Sequence, residues 1–78
     1  MAAGTLKEIG EALGLHGAAA VTELAGAASA TQRAAFGWWY QDRVPKYPAV
    51  EAVKAHLVAL AAAQGREDLL AEVYRLWR

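Results

Sequence analysis

Cysteine is missing from this 78-residue chain, which removes disulfides and cysteine-bearing metal sites and fits a reducing compartment. Neither charge is in surplus, since eight Lys and Arg meet eight Asp and Glu. A single copy is therefore poorly equipped for tight binding driven by phosphate neutralisation alone. No basic start followed by an apolar run reads as a signal peptide, and Glu, Gly and His interrupt every apolar stretch before it reaches the span of a bilayer. The expectation is a cytoplasmic protein without membrane contact. His16 and His56 lie far apart with no histidine or carboxylate at ligand spacing, so no metal is expected. Ser-His-Asp sets, glycine-rich phosphate loops and paired carboxylates are missing too, which argues against an enzyme and gives no reason to expect a cofactor. Valine, isoleucine and threonine are too scattered for strands.

What the chain has instead is alanine. Hydrophobic residues make up 56% of it, and much of that share is alanine, which favours helix through its low side-chain entropy cost. The fold class is all-α: one compact bundle of about five helices with a modest core, near the size at which small domains become marginal.

Both prolines and most of the aromatic residues gather between Ser29 and Pro48. Ser29 and Gln32 stand in the S-x-x-Q relation of a capping box, so a helix is predicted from about Ala30. Phe36, Trp39 and Tyr40, at i, i+3 and i+4, make its apolar stripe, with Phe36 and Trp39 expected in the core and Trp38 at the boundary. Gln32, Arg33, Gly37 and Gln41 then look away from that stripe. Asp42 and Arg43 end the helix, and Pro45 forbids its continuation.

Before this segment, Thr5 and Glu8 make a second capping box, followed by Leu6, Ile9 and Leu13 at helical spacing up to Gly14. Gly10, inside that helix, suggests that another part of the chain passes close by. A slim helix follows over Ala18 to Ala28 with Val21, Leu24, Ala25 and Ala28 on one face, and Gly26 to Ser29 reads as a small-residue turn. Pro48 suits the first turn of a long amphipathic helix carrying Val50, Val53, Leu57, Leu60 and Ala61. Beyond Gly65 a last helix begins acidic at Glu67 and Asp68 and ends basic at Arg75 and Arg78, complementing the helix dipole.

Two short helices joined by a small-residue turn have the layout of a helix-turn-helix. The run Trp39-Tyr40-Gln41-Asp42-Arg43-Val44-Pro45-Lys46-Tyr47 resembles the end of the recognition helix and following turn in phage regulators of the lambda repressor, Cro and CII group, with CII-like activators nearest. The likeness spans about residues 18 to 60 and is strongest from Phe36 to Tyr47. It implies a helical domain that binds double-stranded DNA as a dimer or higher oligomer. It places Phe36 and Trp39 at buried positions of the recognition helix, Arg33, Ala34 and Trp38 towards base edges, Gln32 at the helix entrance and Lys46 at a phosphate. Gly37, which would let a backbone come close, completes the expected DNA-binding set with Gln41 and Arg43. The connection into the helix is longer here than the family's compact form, and Ala30 stands where glycine is more usual.

The residue types suit major-groove reading, where arginine matches guanine, glutamine matches adenine and an apolar group meets a thymine methyl. From Thr31 to Lys54, Arg33, Arg43, Lys46 and Lys54 stand against Asp42 and Glu51, a local surplus of two. Arg33 also reads, nearly as well, as an ordinary surface arginine. The chain divides into a helix-turn-helix portion, 1–65, and a C-terminal helix, 66–78, within a single domain. The apolar residues of that last helix spread over more than one face, which predicts a homodimer built on Leu70, Val73, Tyr74 and Trp77, against the alternative that the helix caps a monomer. The function expected is a phage or prophage transcription regulator reading a short palindromic operator. The alternative is a small helical module that binds a host protein.

Overall fold

Local signals set the helix ends in the computed structural model, which describes residues 5–77. Helix α1 spans Leu6–Ala12, and its capping box forms as expected: the Glu8 amide donates to Thr5 Oγ1 at 3.1 Å, and the Thr5 amide donates to the Glu8 carboxylate at 3.2 Å. Gly14, at a φ of 97°, then turns the chain out of helical geometry.

Helix α2 runs Gly17–Ala28, straight through the stretch expected to be a turn. Alanine explains this, because its helix propensity carries the ladder past Gly26 until Ser29 adopts the left-handed conformation, φ 53° and ψ 41°. The Ala30 amide closes the end on the Ala25 carbonyl at 2.9 Å, and the Ser29 amide on Gly26 at 3.3 Å. Ser29 is thus consumed by the end of α2, and the Ser29–Gln32 capping box does not exist. Thr31 caps instead, its hydroxyl accepting from the Ala34 amide at 3.1 Å, so α3 spans Gln32–Tyr40 rather than starting at Ala30. The connection is Ser29-Ala30-Thr31, and its left-handed residue is Ser29. Gln32 ties the two helices together, its Nε2 donating to Thr22 Oγ1 at 3.1 Å.

Helix α3 stops where expected. Asp42 turns left-handed at φ 55°, and the amides of Gln41 and Arg43 both donate to the Gly37 carbonyl, at 3.0 and 3.1 Å. Helix α4, Ala49–Ala63, follows Pro48 and ends before Gly65, with Val53, Leu57 and Ala61 fully buried. Helix α5, Glu67–Arg75, has its acidic first turn and basic Arg75; Arg78 lies outside the described residues.

Each helix packs mainly on two others, and the contacts close a ring in the order α1, α3, α2, α4, α5 and back to α1. The all-helical expectation holds, and no strand occurs among the described residues. The core differs from expectation at one edge. Phe36 is 48% exposed, whereas Trp38 is 7% exposed and joins Trp39 and Ala35 inside. The buried stripe of α3 is therefore Ala35, Trp38 and Trp39, again at i, i+3 and i+4 but one residue out of phase with the predicted one. The observed rotation buries both indoles, the two largest side chains of the helix, and leaves the Tyr40 hydroxyl and the Phe36 ring at the surface. Trp39 packs on α1 at Gly10, where an added Cβ would sit 2.5 and 2.6 Å from ring carbons. The close approach inferred from that glycine is real.

Helix α5 lies on α4 and α1 and completes the same core, with Leu69, Val73 and Leu76 buried. Val73, expected at a dimer interface, is 0% exposed and cannot meet a second chain without unfolding. Leu70 and Trp77 are half-buried against the core, which leaves Tyr74, 59% exposed, as the open apolar residue of the expected set. The Lys54 ammonium fastens the end of α5 to α4 by donating to the Leu76 carbonyl at 3.0 Å and the Tyr74 carbonyl at 3.4 Å.

Candidate nucleic-acid interface

With Ala35, Trp38 and Trp39 turned inwards, α3 presents Gln32, Arg33, Phe36 and Tyr40 outwards, with Ala34 half-buried beside them. The loop that follows bends back alongside the helix. Between them lies an open groove whose lining includes Arg33, Ala34, Gly37, Gln41, Arg43 and Lys46. With Trp38, the fold therefore gathers seven of the eight expected DNA-binding residues into one lining. Trp38 lies at its floor but is buried, so it is a wall of the groove rather than an exposed reader. Gln32 belongs to the neighbouring hollow between α2 and α3, with Ala18, Val21, Arg33, Phe36 and Tyr40. Its amide is already engaged by Thr22.

Gly37 has a role other than the expected one. Arg43 Cδ lies 3.1 Å from where a Cβ of Gly37 would stand, so the missing side chain makes room for the arginine stem to cross the helix. Space at Gly37 is filled from within the molecule.

The distribution of paired and unpaired cations is the main electrostatic feature of this face. Lys7 pairs with Glu11 at 4.0 Å and lies 5.8 Å from the Tyr40 ring centroid, while Lys54 is bound to the end of α5. Arg66 pairs with Asp68 at 3.1 Å and Arg75 with Glu72 at 3.0 Å. The hydrogen bond between Arg66 and Asp68, reinforced by their opposite charges, raises the guanidinium pKa and lowers that of the carboxyl. Arg33, Arg43 and Lys46 have no ion-pair partner among the described residues, and all three line the same groove. Asp42, exposed beside Arg43, is the acidic residue within that loop.

His56 does have a carboxylate neighbour, which sequence spacing did not reveal: its Nε2 lies 2.6 Å from Glu23 Oε2, joining α4 to α2. No group of three or more His, Asp or Glu side chains among the described residues is placed to hold a metal ion. No helix of the described residues is long and apolar enough to cross a membrane.

Phe36, Tyr40 and Tyr47 were not expected on this surface, yet they are exposed to 48%, 46% and 81%. The signal that could have found the first two is the Trp38-Trp39 pair, because a helix that buries both adjacent indoles must turn Phe36 and Tyr40 outwards. Thr31 was missed for a related reason, since Ser29 offered an equally good capping pattern two residues earlier. No known protein family, curated protein or solved structure matches this chain.

Proposed function

We propose that this chain is a DNA-binding transcription regulator of phage or prophage type, acting in the cytoplasm as a homodimer on a short palindromic operator, with no catalytic activity of its own. In this reading α2 and α3 are the two helices of a helix-turn-helix, joined by Ser29-Ala30-Thr31, and α3 enters the major groove. One observation carries it: Arg33, Arg43 and Lys46, which have no ion-pair partner among the described residues, line one groove beside the exposed face of α3. Arg33 would meet a base edge, and Arg43 and Lys46 would neutralise phosphates. A net charge of zero keeps the affinity of one copy low, so two copies on two half-sites supply the remainder.

Fluorescence anisotropy with duplex DNA from upstream of the gene tests this reading. Affinity should fall steeply as salt rises, and Arg33→Ala should lose about 1–3 kcal/mol of specific binding with the thermal midpoint unchanged. Equal affinity of the variant removes Arg33 from the site.

A second reading draws on the apolar hollow formed by Ala18, Val21, Phe36 and Tyr40, which would suit a helix of a host protein. It predicts no DNA binding even at low salt.

A further inference from the structure

Phe36 is a large apolar residue in the middle of α3 that the core does not use, yet its ring is held in place. Tyr40, one turn later, packs against it with ring centroids 4.7 Å apart and planes inclined at 45°. Arg33 stands one turn earlier on the same side, and Arg33 and Phe36 line both the groove and the adjoining hollow. Because the Gln32 amide is engaged by Thr22, the Arg33 guanidinium is the cationic side-chain donor at this end of α3, with no ion-pair partner among the described residues.

The two side chains ask for different things from a base-pair edge. A guanidinium fork matches the O6 and N7 acceptors of guanine. A phenyl ring has one apolar counterpart among the four bases in the major groove, the 5-methyl group of thymine. Residues at i and i+3 on a helix stand about 5–6 Å apart, a distance of one to two base-pair steps at 3.4 Å each. The positive charge of Arg33, Arg43 and Lys46 around this face is complementary to the phosphates that flank such an edge.

Resting on the DNA-binding reading, we infer that Arg33 and Phe36 act as a pair that reads a guanine and a nearby thymine, with Phe36 packed on the thymine methyl. Phe36 is then a specificity-determining residue rather than a misplaced core residue. Its exposure serves the recognition of one methyl group.

The test begins with selection from a duplex pool randomised over about 20 base pairs, two turns of DNA. The enriched duplex is then made twice, once with thymine and once with uracil at the thymine nearest the preferred guanine, because uracil pairs identically and lacks only the methyl. For the unaltered protein the uracil duplex should bind about fourfold more weakly, the worth of one buried methyl. Phe36→Ala should bind both duplexes equally, whereas Phe36→Leu, which keeps an apolar contact, should still prefer thymine. Thermal melts of both variants should match the parent, since the ring is outside the core. If the unaltered protein binds the thymine and uracil duplexes equally while Arg33→Ala still weakens binding, the methyl assignment falls and the DNA reading stands. If no sequence is enriched from the pool, both fall.

Discussion

Replacing Gly10 by alanine sets two effects of opposite sign against each other, and the geometry decides between them. In a generic helix interior the change is favourable, by about 1 kcal/mol, through helix propensity. Here the new methyl would stand 2.5 and 2.6 Å from two carbons of the Trp39 ring, and 3.7 Å from Leu15 Cδ1. Carbon atoms rest at about 3.5–4.0 Å, so the indole would have to retreat by about 1 Å. It has nowhere easy to go, because Trp39 is 2% exposed and packed among other core residues. Overpacking of that kind costs about 1–3 kcal/mol, which outweighs the propensity gain. Gly26 supplies the control, since it lies in α2 with nothing within 4 Å of an added Cβ and no positive φ. Gly26→Ala should therefore raise stability by about 0.5–1 kcal/mol while Gly10→Ala lowers it. In a domain of this size each kcal/mol moves the midpoint by about 4–8 °C, so thermal melts resolve the two directions and urea titration checks the energies. A double-mutant cycle with Trp39→Leu should show that the cost of alanine shrinks once the ring is gone. If Gly10→Ala stabilises the protein as Gly26→Ala does, the packing of α1 against α3 described above is wrong.

Thr31→Ala removes the cap of α3 and should cost about 1 kcal/mol in denaturant titration, whereas Ser29→Ala should cost nothing through capping; the reverse order would restore the earlier helix start. Tyr74→Lys should leave the melt unchanged and convert a dimer to a monomer in light scattering at micromolar concentration; an unchanged mass would remove Tyr74 from any interface. Asp68, whose pKa is lowered chiefly by the hydrogen bond from Arg66, contributes stability that is complete above the ordinary carboxylate range and lost as pH falls through the lowered value. Asp68→Asn should therefore flatten the acid limb of stability against pH, slightly because the pair is largely solvated, and an identical limb would show that the contact is inert.

Helix identity was legible because alanine content, the Thr5–Glu8 box, Pro45, Pro48, Gly14 and Gly65 all act locally. The phase of α3 was not legible. Phe36-Trp39-Tyr40 and Ala35-Trp38-Trp39 have the same spacing, and only the helices that receive the buried indoles decide between them. The same holds for Ser29, where the capping pattern competed with the pull of alanine on the preceding helix and lost. Arg33, Ala34, Gly37, Gln41, Arg43 and Lys46 were legible as a set because a helix and the turn after it stay together in space. That Arg43 and Lys46 lack ion-pair partners could not be read, since it depends on where every distant carboxylate ends up. His56 makes the point from the other side, because its partner Glu23 is brought from α2.

The crossing of Arg43 over Gly37 has an entropic consequence. A surface arginine normally explores many rotamers, and ordering one on contact with an anion costs up to about 2 kcal/mol. Arg43 starts from a narrower distribution, because its stem lies along the cleft that Gly37 leaves in α3, with Cδ in that space. Its stem is seated against the helix at Gly37, although the residue lies beyond the last helical turn. Less freedom remains to be lost when an anion arrives, so part of the ordering needed for binding is completed during folding.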